Sequence, residues 1–492
     1  MQILILNGME NNDKKKEGGI DRRDFVRLST AFFGLPVLGQ GSFFLNEQND
    51  DTVSSSKIKT MLKKDAMKQS KALANLMQFP FVQALFGRRA RRFGLGMEIP
   101  SGPLAYKSKK EPIPLSETEQ MILVAAATGV SGWNFGVPFG PRTPDAHAEF
   151  TLRFTGRTAP TAAGLGTPAL FFTDDSGCYC TLTRDVQPRK MLELDQTENA
   201  LEHIVSVCRD QTIQLQDSRL DLPSSPPHIL PPNLWWANKP GSTLFMIVGD
   251  AAEVCLGIMA LMMRHGVMVV DQDTGEPAGN LEPFVRSGLL DPNKRFPISE
   301  LQHDVLQCVC LETACKGHNI VLMLQAMGLG GLFFNGLDDL SVLGANAGDG
   351  IKGLGFRFVE NERWITPNPV GLPGVYEALC PPNYPDMRAA VEVFVARKFG
   401  ENGAYDPHTS GPWKESDQVK KTVEPYSKDF VDCMAEVAQY IYNKYEKFPG
   451  TRSSIMLPSF VQAHHIDTDF YDKYYQEGAY LQTHAEHFDH WH

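Results

Sequence analysis

The sequence predicts an α+β fold: a mixed sheet flanked by helices, with a helical C-terminal extension. Three observations predict it. Short apolar runs of strand type occur at 169–173, 243–248, 267–270 and 332–334. Helical periodicities fall between them, so strands and helices are interleaved around one sheet. After Pro385 the apolar residues recur only at helical spacing. The chain has 492 residues, 42% hydrophobic and 21% charged, which suffices for a sizeable core. Its 58 acidic and 47 basic side chains leave a net charge of −11, which argues against bulk binding to nucleic acid or anionic lipid. The longest mid-chain apolar stretch, 251–263, contains Glu253 and falls short of the roughly 20 residues a bilayer span needs, so no internal membrane helix is expected.

The N-terminus reads as an address. Lys14 to Lys16 and Arg22-Arg23-Asp24-Phe25-Val26-Arg27 precede a mildly apolar run to Gly39, the charged-then-apolar order of an export signal. The run from Asp21 resembles the twin-arginine signal, although Asp21 and Val26 depart from its pattern. Residues 1–45 are assigned to this signal, which implies a periplasmic or other extracytoplasmic location; a start at Met9 and a cytoplasmic location are the alternative. Residues 46–75 read as a polar linker.

Ser116 and Glu119 have capping-box spacing and open a helix to about Ala127. The segments 169–173 and 178–183 pair as a hairpin across Asp174-Asp175-Ser176-Gly177, and 191–207 reads as a helix. A helix at 251–264 lies between two buried-type strands. Ser299 and Gln302 form a second capping pair, opening a helix through Met327. In it Ala314, Gly317, Val321, Leu324 and Gly328 make a stripe suited to close packing. Two further helices carry Met387, Val391, Phe394 and Val395, then Phe430, Met434, Val437 and Ile441.

Three segments bear on function: Arg88-Arg89-Ala90-Arg91-Arg92-Phe93; Ala159-Pro160-Thr161-Ala162-Ala163-Gly164; and 312–331, ending Ala326-Met327-Gly328-Leu329-Gly330-Gly331. In this order they resemble the nitroreductase-like flavoprotein superfamily, including its SagB-type dehydrogenase branch. Ala90 stands where the family has Ser, and the extra Ala163 shifts the second motif. The resemblance implies FMN, with Arg88, Arg89 and Arg92 on its phosphate, Pro160, Thr161 and Ala162 at the ring, and Gly330 and Gly331 offering backbone amides. Guanidinium groups suit a phosphate dianion because they bind it with two parallel hydrogen bonds. The resemblance also implies a homodimer, a small-molecule substrate and an electron donor. Family enzymes commonly use NADH or NADPH, which an exported protein would not meet. On this reading 76–380 is the flavin domain, with a large insertion near 185–300. The insertion, including the proline-rich stretch 209–237 with Trp235 and Trp236, maps onto nothing in the family and is a candidate lid or a reshaping of the substrate pocket. Residues 381–492 form the helical, histidine-rich extension.

Gly348-Asp349-Gly350-Ile351-Lys352-Gly353 satisfies G-x-G-x-x-G but runs into strand-like sequence, which makes it a glycine-rich turn. The nine cysteines include C-x-C pairs at Cys178/Cys180 and Cys308/Cys310, and read as small buried apolar residues. Six of the thirteen histidines fall in the last 29 residues. A helix over 485–491 places His484, His487 and His490 on one face, so with His464 and His465 they are candidate ligands for a divalent metal, Zn or Fe. The bland alternative is an aromatic tail whose histidines hydrogen-bond locally. The leading expectation is an FMN-dependent oxidoreductase transferring hydride to or from an organic substrate. The alternative is a flavin-free metal-binding protein or metal-dependent enzyme using the C-terminal histidines.

Overall fold

A computed structural model describes residues 59–60, 71–138, 151–161, 164–186 and 200–492. The twin-arginine-like segment and Ala162 lie outside them. The fold is α+β. Its main sheet runs, edge to edge, through Lys59–Thr60, Thr212–Gln216, Gly177–Thr181, Ala169–Asp174, Thr243–Asp250, Phe460–His464 and Gly330–Phe334, every neighbouring pair antiparallel. Parallel pairing occurs in a separate two-stranded sheet, where Val267–Val270 meets Asp291–Pro297. Among the described residues no helix is long and apolar enough to cross a membrane.

The two central strands are buried on both faces, and their alternation sorts side chains into two cores. Ala169, Phe171, Leu244, Met246 and Val248 point to one, and Leu170, Phe172, Phe245 and Ile247 to the other. Helices cover both faces. Ala251–Arg264, Met387–Phe399 and Lys428–Tyr445 pack into the first core, and Glu117–Thr128 into the second. The long helix Ile298–Met327 serves both. Its first half contributes Ile298, Leu301, Val305 and Val309 to one core, and its second half Ile320, Val321, Leu324 and Met327 to the other.

Several sequence expectations hold in detail. Ser116 and Glu119 form the capping box in both directions, and the hairpin turns at Asp174, whose carboxylate accepts from the N–H groups of Ser176 and Gly177. Others are corrected. The long helix opens at Pro297 without a side-chain cap, because Gln302 is engaged elsewhere and accepts from Thr451. Of the expected helix over 191–207, residues 191–199 lie outside the described residues, and the rest belongs to a helix Ala200–Asp210.

The larger correction concerns the C-terminal part, which is no extension. Phe460–His464 lies inside the main sheet, between Thr243–Asp250 and Gly330–Phe334. All five residues are buried, Gln462 and His464 included, and the short alternation of Val461 to His464 is not read as a strand from the sequence. The insertion is likewise part of the body. Thr212–Gln216 is a sheet strand, Trp236 is fully buried, and the Trp236 carbonyl accepts from Gln462 Nε2 at 2.7 Å. Trp236 therefore anchors the end of the proline-rich stretch on one face of the sheet.

One acid on the long helix is poorly accommodated. Burial, with Glu300 as the second cause, pushes the Asp304 carboxyl up to about 7, and its Oδ2 has no hydrogen-bond partner among the described residues. The unfolded chain releases this proton near pH 4, so the contribution to stability is full below that and is lost as pH rises toward 7. Asp304→Asn should raise the unfolding free energy by about 1–2 kcal/mol at pH 8, after allowance for partial exposure, and leave it unchanged at pH 4. Denaturant midpoints at the two pH values check this; an equal shift at both would show that charge is not the cause.

Candidate functional site

The arginine run follows the short helix Phe81–Phe86 and passes as extended chain along the sheet's edge strand. The Gly331 N–H donates to the Arg91 carbonyl at 2.8 Å, so the first and third sequence segments lie side by side. Both glycines are required by this approach. A Cβ on Gly330 would come within 2.8 Å of the Arg91 carbonyl, and one on Gly331, at φ +143°, would overlap the Gln462 carbonyl. The Gly331 amide is therefore occupied by the protein's own backbone, and its expected role as a cofactor donor is corrected to that of a packing residue.

Extended geometry sends alternate arginines to opposite sides. Arg91 turns inward, where its Nη1 donates to Gln325 Oε1 at 2.5 Å and its Nε to the Ala479 carbonyl at 3.0 Å. Burial lowers its pKa to about 10. Arg88 and Arg92 turn outward onto the wall of an open cavity of about 400 Å³, shared with Ala90, Ala314, His318, Val321, Leu332 and Phe333. Neither guanidinium has a hydrogen bond or ion pair among the described residues. Arg89 folds back onto the carbonyls of Phe86 and Arg88 and does not line the cavity. Gly317 lets the Phe333 ring lie close, since a Cβ there would be 2.3 Å from it.

The second segment is elsewhere. Gly166 and Thr167 donate backbone N–H bonds to Glu312, and Asn319 donates to the Thr158 carbonyl. At 3.6 residues per turn, Glu312 and Asn319 lie on the face of the long helix opposite Ala314, His318 and Val321. Pro160 and Thr161 therefore sit across that helix from Arg88 and Arg92, and within one chain the structure does not bring them to the cavity.

A second constellation forms around Glu119. The capping box holds its Oε2, which accepts from the Ser116 N–H at 2.6 Å and Oγ at 2.7 Å. Its Oε1 faces His465 Nε2 at 3.2 Å, His487 Nε2 at 2.9 Å and His492 Nε2 at 3.6 Å. The four ligand-type atoms all lie within 4.8 Å of one another, a set that could hold a metal ion. Glu119, His465 and His487 are buried. Burial opposes ionisation of Glu119, but the three imidazoles around its Oε1 outweigh it and hold the carboxyl far below its usual range. The same contact raises the pKa of His492.

Of the five expected metal-ligand histidines, His465 and His487 join this cluster and three do not. The anticipated helix is broken at Glu486 into Gln482–Ala485 and His487–Trp491, which destroys the shared face. His484 faces the Leu481 N–H, and burial lowers its pKa to about 3. His490 lies 3.8 Å from Glu486. His464 precedes His465 in extended chain and points the other way, its Nε2 3.1 Å from the Arg91 carbonyl; burial lowers its pKa to about 3. The sequence reading missed Glu119 and His492. A signal for Glu119 was present, because a capping residue followed by uninterrupted apolar sequence must enter the core with its helix.

The last segment also finishes the long helix. Thr483 Oγ1 donates to the Gln325 carbonyl and His487 Nδ1 to that of Met327, at 2.8 Å each, satisfying two carbonyls that the helix leaves open.

No known protein family matches the sequence, and no curated protein matches it. Among solved structures, a protein of Ralstonia eutropha JMP134 provisionally named a nitroreductase aligns over 62% of this chain and 85% of its own, at 12% identity and a TM-score of 0.25.

Gly328 reports on how the last segment docks. It sits at φ +79°, and a Cβ would come 2.0 Å from the Thr483 carbonyl. Gly328→Ala should cost about 2 kcal/mol or more, from left-handed backbone strain plus the backbone clash, and should expose residues 479–492 to protease. Thermal melts and mapped limited proteolysis check this; an unchanged cleavage pattern would refute the docking.

Proposed function

We propose that the protein is an FMN-dependent oxidoreductase of nitroreductase-like type, with Arg88 and Arg92 as the phosphate-binding groups. The observation that carries this reading is the pair of unpartnered guanidinium groups on one wall of a cavity large enough for a small organic ligand. They fit an anion. Charge-assisted bonds to a phosphate would satisfy donors that no described residue satisfies. Phe333, 40% exposed, offers a flat apolar surface beside them, and Ala90 and Ala314 keep the wall clear of bulk. Bound there, FMN would supply hydride-transfer chemistry. The chain's own contribution is to hold the anionic end, to pack the flat part, and to place the His318 imidazole on the same wall.

A homodimer belongs to this reading. Phe81, Val82, Leu85 and Phe86, just before the arginine run, are 41–74% exposed, an apolar face next to an open cavity. A second copy would cover that face and close the cavity. The Glu119 cluster takes no part in this reading.

Arg88→Ala combined with Arg92→Ala should lower FMN affinity by at least tenfold, given about 1.5–3 kcal/mol for a hydrogen bond to a charged group, without lowering the melting temperature. The absorption spectrum of the purified protein and FMN titration of both forms are the measurements. Wild-type protein that takes up no FMN, or equal affinity in the double variant, would remove the assignment.

A further inference from the structure

We propose that Glu119, His465, His487 and His492 form a site for one divalent transition-metal ion, zinc above all, which fastens residues 479–492 onto the end of the long helix. The site stands apart from the flavin reading and does not depend on it.

Four of the six separations among the ligand atoms suit a coordination shell, and all six lie within 4.8 Å. Zinc with nitrogen and oxygen ligands at about 2.0–2.1 Å sets neighbouring ligands of a tetrahedron roughly 3.4 Å apart. The separations from Glu119 Oε1 to the three Nε2 atoms are 3.2, 2.9 and 3.6 Å, and His465 Nε2 lies 3.3 Å from His492 Nε2.

The ring contacts favour a cation. His465 Nδ1 is 2.9 Å from the Ile113 carbonyl and His487 Nδ1 is 2.8 Å from the Met327 carbonyl. A carbonyl only accepts, so each Nδ1 carries a hydrogen, and where that is the ring's one proton the lone pair of its Nε2 faces the carboxylate. Lone pairs facing a carboxylate repel unless positive charge lies between them. Buried His487 Nε2 makes no hydrogen bond among the described residues although Glu119 is within reach. Protons alone serve poorly, since one carboxylate offsets one imidazolium and three rings surround it. A divalent ion satisfies all four atoms at once.

The supporting contacts complete the case. Backbone carbonyls behind two of the rings fix their orientation, as they commonly do behind metal-bound histidines. The capping box holds the other oxygen of Glu119 and leaves Oε1 free to ligate. Three imidazoles and one carboxylate favour zinc among first-row ions in a four-coordinate site, and disfavour magnesium or calcium, which take oxygen shells. All four positions come from the chain, the pattern of a structural site.

Two ligands lie in the last segment and two in the body, so the ion joins them. The same segment holds Arg91 through the Ala479 carbonyl, and Arg91 stands between the two arginines of the cavity.

The test uses full-length protein without added histidines. Elemental analysis should find one zinc per chain. Chelator-stripped protein should take up one equivalent of zinc, or of cobalt(II) with the intense visible bands of a tetrahedral site. His487→Ala and His492→Ala should each weaken zinc binding by at least about tenfold, while His490→Ala, outside the cluster, should not. His492 is partly exposed, so its variant is expected to fold; circular dichroism confirms it. Stripping should speed amide exchange in 479–492. Failure of folded wild-type protein to take up zinc or cobalt overturns the site, as does full metal content in both ligand variants. Metal uptake with unchanged exchange overturns the fastening role.

Discussion

The carboxylate of Glu119 is the point at which the distant parts of this chain are tied together. A buried charge is tolerated only when its oxygens are fully engaged. Here one oxygen closes the start of a helix and the other faces three imidazoles from segments more than 340 residues away in sequence. Loss of that carboxylate would leave the helix start, the residue after the strand Phe460–His464 and the final helix without their common partner.

That tie reaches the cavity through short links. The final segment meets the end of the long helix through Thr483 and His487, and meets Arg91 through Ala479. Arg91 in turn accepts from Gly331 and faces His464. The outward pose of Arg88 and Arg92 follows from the inward pose of Arg91, because extended chain alternates sides. The cavity and the histidine cluster are therefore two ends of one connected framework, although each has its own chemistry.

A second concentration of charge lies at the start of the helix Ala251–Arg264. Glu253 is fully buried among Arg153, Arg184 and Arg397, with Asp185 beside them. Arginines and acids offset one another closely, and such a knot fixes which segments meet more than it adds stability.

The sequence by itself determined what depends on neighbours along the chain. The capping box at Ser116, the hairpin at Asp174, the 251–264 helix between its strands and the stop at Gly400 were legible because each is set by local spacing and turn chemistry. It also marked the arginine run and the glycine pair that lie together, and two of the four members of the histidine cluster. The tertiary structure decided the rest. Phe460–His464 is only five residues long and buries Gln462 and His464 with its apolar residues, so its place in the sheet came from pairing with strands distant in sequence. Which histidines meet Glu119 depended on a helix break at Glu486 and on the packing of the last segment against a helix begun near residue 117. Long-range proximity of this kind leaves no trace in spacing, because the groups share a point in space without sharing a stretch of chain.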